Sequence, residues 1–205
     1  LTSDHGEAFM EHGYRFHGAT LYEEILRVPL LVSGPGVVPG RVPVPVGLID
    51  LMPTILELAG LPPSRQALGR SLAPWLRGEE VDAEPWMSRA IYSEAWQTRA
   101  ASSTRVRVRQ PTFAVRRGHR KLIRYLDGPG HRYSYYDLAN DPRERYDLYS
   151  QMPQVAAELR GMIDRYQPVS EALRAALQVE PADHADEEEI DPEREEKLRA
   201  LGYID

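Results

Sequence analysis

The sequence predicts an α/β fold that passes into a small antiparallel sheet with a packed helix. Three features point to it: a helix-forming stretch leading into a short apolar run near the front, two β-rich segments around a glycine in the middle, and an amphipathic stretch after them. The 205 residues, 42% of them hydrophobic, can bury a sizeable core. A net charge of −6 gives no electrostatic footprint for nucleic acid. The absence of Cys excludes disulfide and thiol chemistry from these residues without fixing a compartment, and no apolar run approaches membrane-spanning length.

The elements follow in order. Residues 19–27 are strong helix formers that stop ahead of Val28-Pro29, where helical geometry is disfavoured. Val28-Pro29-Leu30-Leu31-Val32 then reads as a strand buried on both faces, closed by Ser33-Gly34-Pro35-Gly36. The proline-spaced residues 42–46 form an extended connector. From Leu48 onward, Leu51, Met52, Ile55 and Ala59 recur at helical spacing, Asp50 can cap, and Gly60 with Pro62 and Pro63 ends the run. Residues 62–84, rich in Pro, Gly and charge, read as a surface connection anchored by Leu72, Trp75 and Leu76.

Strands are expected next over residues 90–96, 112–125 and 133–138, with Arg117-Gly118-His119 as a hairpin turn and Asn140-Asp141-Pro142 as a stop. A helix over residues 153–166, with Val155, Leu159, Met162 and Ile163 inward, would cover one face of that sheet. Residues 183–189 are acidic and read as a solvated linker. Asp191-Pro192-Glu193 starts a last helix that Gly202 ends.

The chemistry concentrates at the front. Half of the six histidines, His5, His12 and His17, share a polar, Gly-rich segment with Asp4, Glu7, Glu11 and Arg15. An acid, an imidazole and a glycine in succession, Asp4-His5-Gly6, suit a divalent cation held at a turn. An imidazole ligates when neutral and donates a proton when charged, and its ordinary pKa of about 6.5 lets the surroundings decide. Each of these residues also has the plainer reading of a turn side chain bonded to backbone carbonyls. Trp75, Trp86 and Trp96 read as packing residues, and Arg105, Arg107, Arg109, Arg116, Arg117, Arg120 and Arg124 as a basic strand face.

Thr2-Ser3-Asp4-His5-Gly6-Glu7, Glu11-His12-Gly13, His17-Gly18, Leu21-Tyr22-Glu23-Glu24 and Arg27-Val28-Pro29-Leu30 together resemble the sulfatase family of the alkaline-phosphatase-like superfamily. The likeness continues in Asp50-Leu51-Met52-Pro53-Thr54, Leu58-Ala59-Gly60, Lys121-Leu122-Ile123, Tyr136-Asp137-Leu138, Asp141-Pro142 with Glu144, and Leu198-Arg199-Ala200-Leu201-Gly202-Tyr203. It implies that residues 1–85 are the C-terminal part of the large sulfatase α/β domain, residues 86–180 a small subdomain of antiparallel sheet plus helix, and residues 181–205 an acidic linker and terminal helix.

The resemblance implies function position by position. Asp4 and His5 become ligands of one divalent metal ion: calcium by family habit, with manganese or zinc suited to the nitrogen of His5. His17 stands where the family often carries a Lys, as a substrate-binding and catalytic residue that can protonate the leaving group. His12 is a second substrate-binding candidate. The family's nucleophile, a formylglycine made from Cys or Ser in Cys/Ser-x-Pro-x-Arg, has no counterpart here, so it is expected in a missing N-terminal portion and these residues alone are expected to be inactive.

The implied reaction is metal-dependent hydrolysis of a small-molecule or carbohydrate sulfate ester. A phosphomonoester, phosphodiester or phosphonate hydrolase of the same superfamily, or a non-catalytic relative, are the alternatives. A periplasmic or extracellular setting follows from the resemblance alone, and oligomeric state is left open.

Overall fold

The computed structural model describes residues 1–18, 20–65, 67–100, 107–127 and 130–176. The side chains of Trp96, Arg107 and Arg109, all of Arg105, the acidic stretch 183–189 and the terminal helix lie outside the described residues. The chain forms two compact units, Leu1–Ile163 and Asp164–Asp205.

The first unit is built on a four-stranded antiparallel sheet in the order β3-β4-β5-β6, formed by Ala90–Ala100, Arg107–Arg117, Arg120–Asp127 and Gly130–Asp137. Gly118, at φ 58°, supplies the left-handed residue of the tight turn that pairs Arg117 with Arg120. Strand alternation then sorts the side chains. Ala114, Ile123, Tyr125 and Tyr136 face one way and pack with Leu21, Tyr22 and Leu138. Phe113, Val115, Leu122 and Tyr135 face the other way and are buried.

That second face is covered by the part of α5 (Pro153–Ala176) that belongs to the first unit, in which Ala156, Leu159 and Ile163 are buried. Glu158 pairs with Arg117 and Arg120, and Arg160 lies over the Tyr133 ring at 5.9 Å. The strands and the inward face of the helix thus follow the sequence pattern. The helix runs past the expected end at 166 and holds Pro168 within it.

The basic strand face is not an open patch at its described positions. Arg116 bonds Glu23 and the Gly118 carbonyl, Arg117 bonds the Ser88 carbonyl, and Arg124 is buried against Phe113. Charge that composition alone makes conspicuous is spent on joining elements.

The front of the chain is less regular. A short hairpin, β1 (Ala8–Phe9) with β2 (Arg15–Phe16), precedes α1, which is confined to Glu23–Leu26 because the backbone at Tyr22 is extended. The strand expected over residues 28–32 does not form. Leu30 makes one bridge, to Thr2, and Leu31 is exposed; Pro29, which has no N–H, cannot extend a ladder from that bridge.

The helix after residue 48 is present as a 3-10 turn, Leu48–Asp50, followed by α2 (Leu51–Leu58). Its orientation inverts the apolar pattern: Asp50 and Thr54 are buried while Met52 and Ile55 stand 46% and 62% exposed. Polar anchors decide this. Asp50 pairs with Arg89 and accepts from the amides of Gly47 and Arg70, and the Thr54 hydroxyl accepts from Leu72 N. Burial pushes the Asp50 pKa up, but the bonds from Arg89, Arg70 and Gly47 together hold it below the ordinary value.

The connection after residue 62 carries two short helices, α3 (Ala73–Leu76) and α4 (Glu84–Met87). Leu72, Val44 and Trp86 form a second apolar cluster there, and the Trp75 and Trp86 rings meet edge-on at 6.5 Å, in keeping with a packing role.

Candidate functional site

The Asp4-His5-Gly6 turn is seated directly on α1. Gly6 N donates to Ile25 O at 2.7 Å, and a Cβ at Gly6 would lie 2.0 Å from Glu24 O, so no side chain fits while this seat holds. The bridge from Thr2 to Leu30 and the bond from Thr2 Oγ1 to Pro29 O at 2.9 Å fix the approach. The turn is thereby anchored on the protein while the Asp4 carboxylate, 80% exposed, projects outward.

The electrostatics of the turn suit a cation. His5 N donates to Asp4 Oδ1 at 3.0 Å, and this bond foremost holds the Asp4 carboxyl below the usual range. His5 Nδ1 faces Gly6 O at 2.7 Å. A carbonyl only accepts, so Nδ1 carries the proton and Nε2 keeps the lone pair, 3.8 Å from Asp4 Oδ2. One ionised oxygen donor and one nitrogen donor thus face a common space. Among the described residues no group of three or more His, Cys, Asp or Glu is arranged to hold a metal ion. Asp4 and His5 therefore fit a divalent ion as part of a ligand set and not as the whole of one.

His17 joins this pair. Its ring stacks on that of His5, with centroids 4.2 Å apart and planes at 27°, and its Nδ1 meets Glu7 Oε2 at 3.1 Å. Phe16, at φ 68°, and Gly18, at φ 85°, flank it in left-handed geometry. For a bulky residue such as Phe that conformation is costly.

His12 goes elsewhere. Its Nδ1 bonds Glu24 Oε1 at 2.7 Å, its Nε2 bonds Glu144 O at 3.1 Å, and its ring stacks on Tyr22 at 3.7 Å. Both ring nitrogens thus face acceptors of the protein itself, which gives His12 a structural place beneath α1.

Beneath α1 lies a buried ionic cluster that the sequence did not announce. Lys121 Nζ lies 2.8 Å from both Glu23 Oε1 and Glu144 Oε1, Glu144 Oε2 accepts from Glu23 N at 2.6 Å, and Arg116 reaches Glu23 Oε2 at 3.3 Å. Burial raises the Glu144 pKa, against the opposing pull of Lys121. The cluster ties α1, and so the turn above it, to β4, β5 and the loop after β6. Glu23 and Glu144 are 121 positions apart in sequence, which leaves no local signal of their meeting. Glu7 did carry one, a carboxylate beside the histidine cluster.

A family model described as N-sulphoglucosamine sulphohydrolase, C-terminal, matches residues 10–168. The chain belongs to the sulfatase family. It is 35% identical over 179 residues to an arylsulfatase K of Danio rerio, covering 84% of this chain and 32% of that protein. It is 31% identical over 173 residues to a Delta 4,5-hexuronate-2-O-sulfatase of Bacteroides thetaiotaomicron, covering 81% and 34%. A solved structure in complex with its substrate, D-glucosamine-2-N,6-O-disulfate, superposes with a TM-score of 0.60 at 26% identity, covering 82% of this chain and 33% of that one.

This sulfatase chain therefore spans about a third of the length of the curated relatives it matches and corresponds to their C-terminal portion. Its fold is that of the C-terminal region of an α/β sulfatase, with the antiparallel sheet and packed helix that the sequence predicts. Among the described residues no helix is long and apolar enough to cross a membrane.

Proposed function

We propose that the sulfatase carrying this chain hydrolyses sulfate esters of a carbohydrate. Asp4 and His5 supply part of the shell of a divalent ion, and His17 acts at the leaving-group oxygen. The observation that carries this reading is the convergence of Asp4, His5 and His17: two ligand types on one turn, with a second imidazole stacked against it. Relatives named for hexuronate 2-O-sulfate and bound to a glucosamine disulfate support a sulfated sugar as substrate.

When bound, the ion would neutralise charge on the non-bridging sulfate oxygens and favour ionisation of the attacking hydroxyl. Asp4 offers an ionised carboxylate whose orientation its own neighbour's amide fixes. His5 is locked by Gly6 O into the tautomer that leaves Nε2 as donor. His17, in its charged form, donates to the bridging oxygen as the ester bond breaks, a role worth about 10²–10⁴-fold in rate. The nitrogen of His5 makes manganese or zinc as suitable as calcium.

The nucleophile is proposed to be a formylglycine outside these residues, so the chain alone would hydrolyse nothing. The deciding assay sets the intact enzyme against matched sulfate and phosphate monoesters of the same sugar. Faster turnover of the sulfate is expected. Preference for the phosphate would move the enzyme to the phosphorus-ester branch of the superfamily, and no turnover of either would point to a non-catalytic relative.

A further inference from the structure

We propose that Glu7 is the positioning residue of His17, holding the ring through Nδ1 so that Nε2 is the atom presented to the departing oxygen. The proposal rests on His17 acting at the leaving group. Where a Lys would present its charge from a flexible stem, an imidazole is useful only if its plane and tautomer are fixed.

Three independent features do this. Glu7 Oε2 sits 3.1 Å from His17 Nδ1, and a carboxylate can only accept, so the proton stays on Nδ1. The His5 ring lies against one face of His17 at 4.2 Å and restricts its rotation. The left-handed backbone at Phe16 and Gly18 turns His17 back toward the Asp4-His5 turn, a conformation a Phe adopts only at a cost.

Glu7 itself is held in an unusual state. Its other oxygen, Oε1, is buried and makes no hydrogen bond among the described residues. An unpaired buried acceptor is costly, and the contact the structure gives the carboxylate's other oxygen is the one to His17. The geometry is that of a carboxylate orienting an imidazole, in which the carboxylate never touches the substrate.

The test uses the intact enzyme, an aryl sulfate with a good leaving group and a saccharide sulfate with a poor one. Glu7→Leu should lower kcat for the saccharide by about 10–100-fold, with KM nearly unchanged and the aryl sulfate little affected. Glu7→Gln, which keeps an accepting carbonyl, should restore most of the loss. In a His17→Lys background Glu7→Leu should do nothing further, because a Lys has no ring to orient. In ¹⁵N-histidine-labelled enzyme, Glu7→Leu should shift the His17 ring signals away from the Nδ1-protonated form.

Equal slowing of both esters by Glu7→Leu, persisting in the His17→Lys background, would overturn the proposal and leave Glu7 a structural residue. Should His17→Ala itself slow both esters equally, the acid reading beneath the proposal fails. The nitrogen signals would then still report separately whether Glu7 sets the ring.

Discussion

The sheet and the front segment are held together in opposite ways. In the sheet, apolar side chains are buried on both faces: Phe113, Val115, Leu122 and Ile123 are 0–2% exposed, and α5 covers one side. In the front segment, Phe9, Met10, Phe16 and Leu31 are exposed, regular structure comes in pieces of two to four residues, and order comes from polar bonds and a close backbone seat. The sheet is a scaffold that tolerates some repacking. The front sinks Ala8, Leu21, Tyr22 and Ile25 into the core but holds its chemical side chains by polar bonds, so small displacements of those side chains should cost function more than stability.

Lys121 joins the two halves, and its loss should have the largest effect. Lys121→Met leaves Glu23 and Glu144 facing each other underneath α1, and stranding buried charge in this way costs about 3–5 kcal/mol. The pH dependence gives the sign. The folded-state pKa of Glu144 lies above its ordinary 4.5. Its protonated form therefore favours folding, a contribution full below the ordinary value and lost as pH rises through the folded one. Removing the Lys raises the folded value further. The deficit of Lys121→Met, read as a urea midpoint against the parent, should be greatest near neutral pH and shrink as pH falls toward 4.5. A deficit independent of pH would mean that packing, not charge, is what Lys121 supplies.

Two glycines sharpen the contrast at a smaller scale. Gly6→Ala puts a methyl 2.0 Å from Glu24 O and must lift the Asp4-His5 turn off α1. A displacement near 1 Å at such a site costs roughly 100-fold in kcat/KM of the intact enzyme. Gly118→Ala, in the sheet, strains a turn at φ 58° and crowds Met87 O at 3.2 Å. It should cost about 1–2 kcal/mol of stability and leave kcat unchanged at temperatures where the variant stays folded. If the two glycines behave alike in kinetics, the division between scaffold and site fails.

The same contrast explains what the sequence made legible. Strand alternation, the Gly118 turn and the apolar spacing of Leu159 and Ile163 are local patterns with local consequences, so the sheet and α5 could be read directly. Asp4, His5 and His17 were legible as a cluster because they are close in sequence and polar where neighbouring segments are not. Three things were not. The burial of Asp50 and Thr54 depends on Arg89, Arg70 and Leu72, which no helical period encodes. The place of His12 depends on the Glu144 carbonyl far along the chain. The segment at 28–32 has the composition of a buried strand, and its composition says nothing of which edge it would pair with.

Asp4 and His5 are proposed to bind a cation jointly. Metal content of the purified intact enzyme, measured by inductively coupled plasma spectrometry for the parent, Asp4→Ala and His5→Ala, tests it most directly. Close to one divalent ion per parent molecule is expected, lost in both variants while the thermal unfolding of the sheet stays unchanged. Variants that keep their full complement of metal would contradict it.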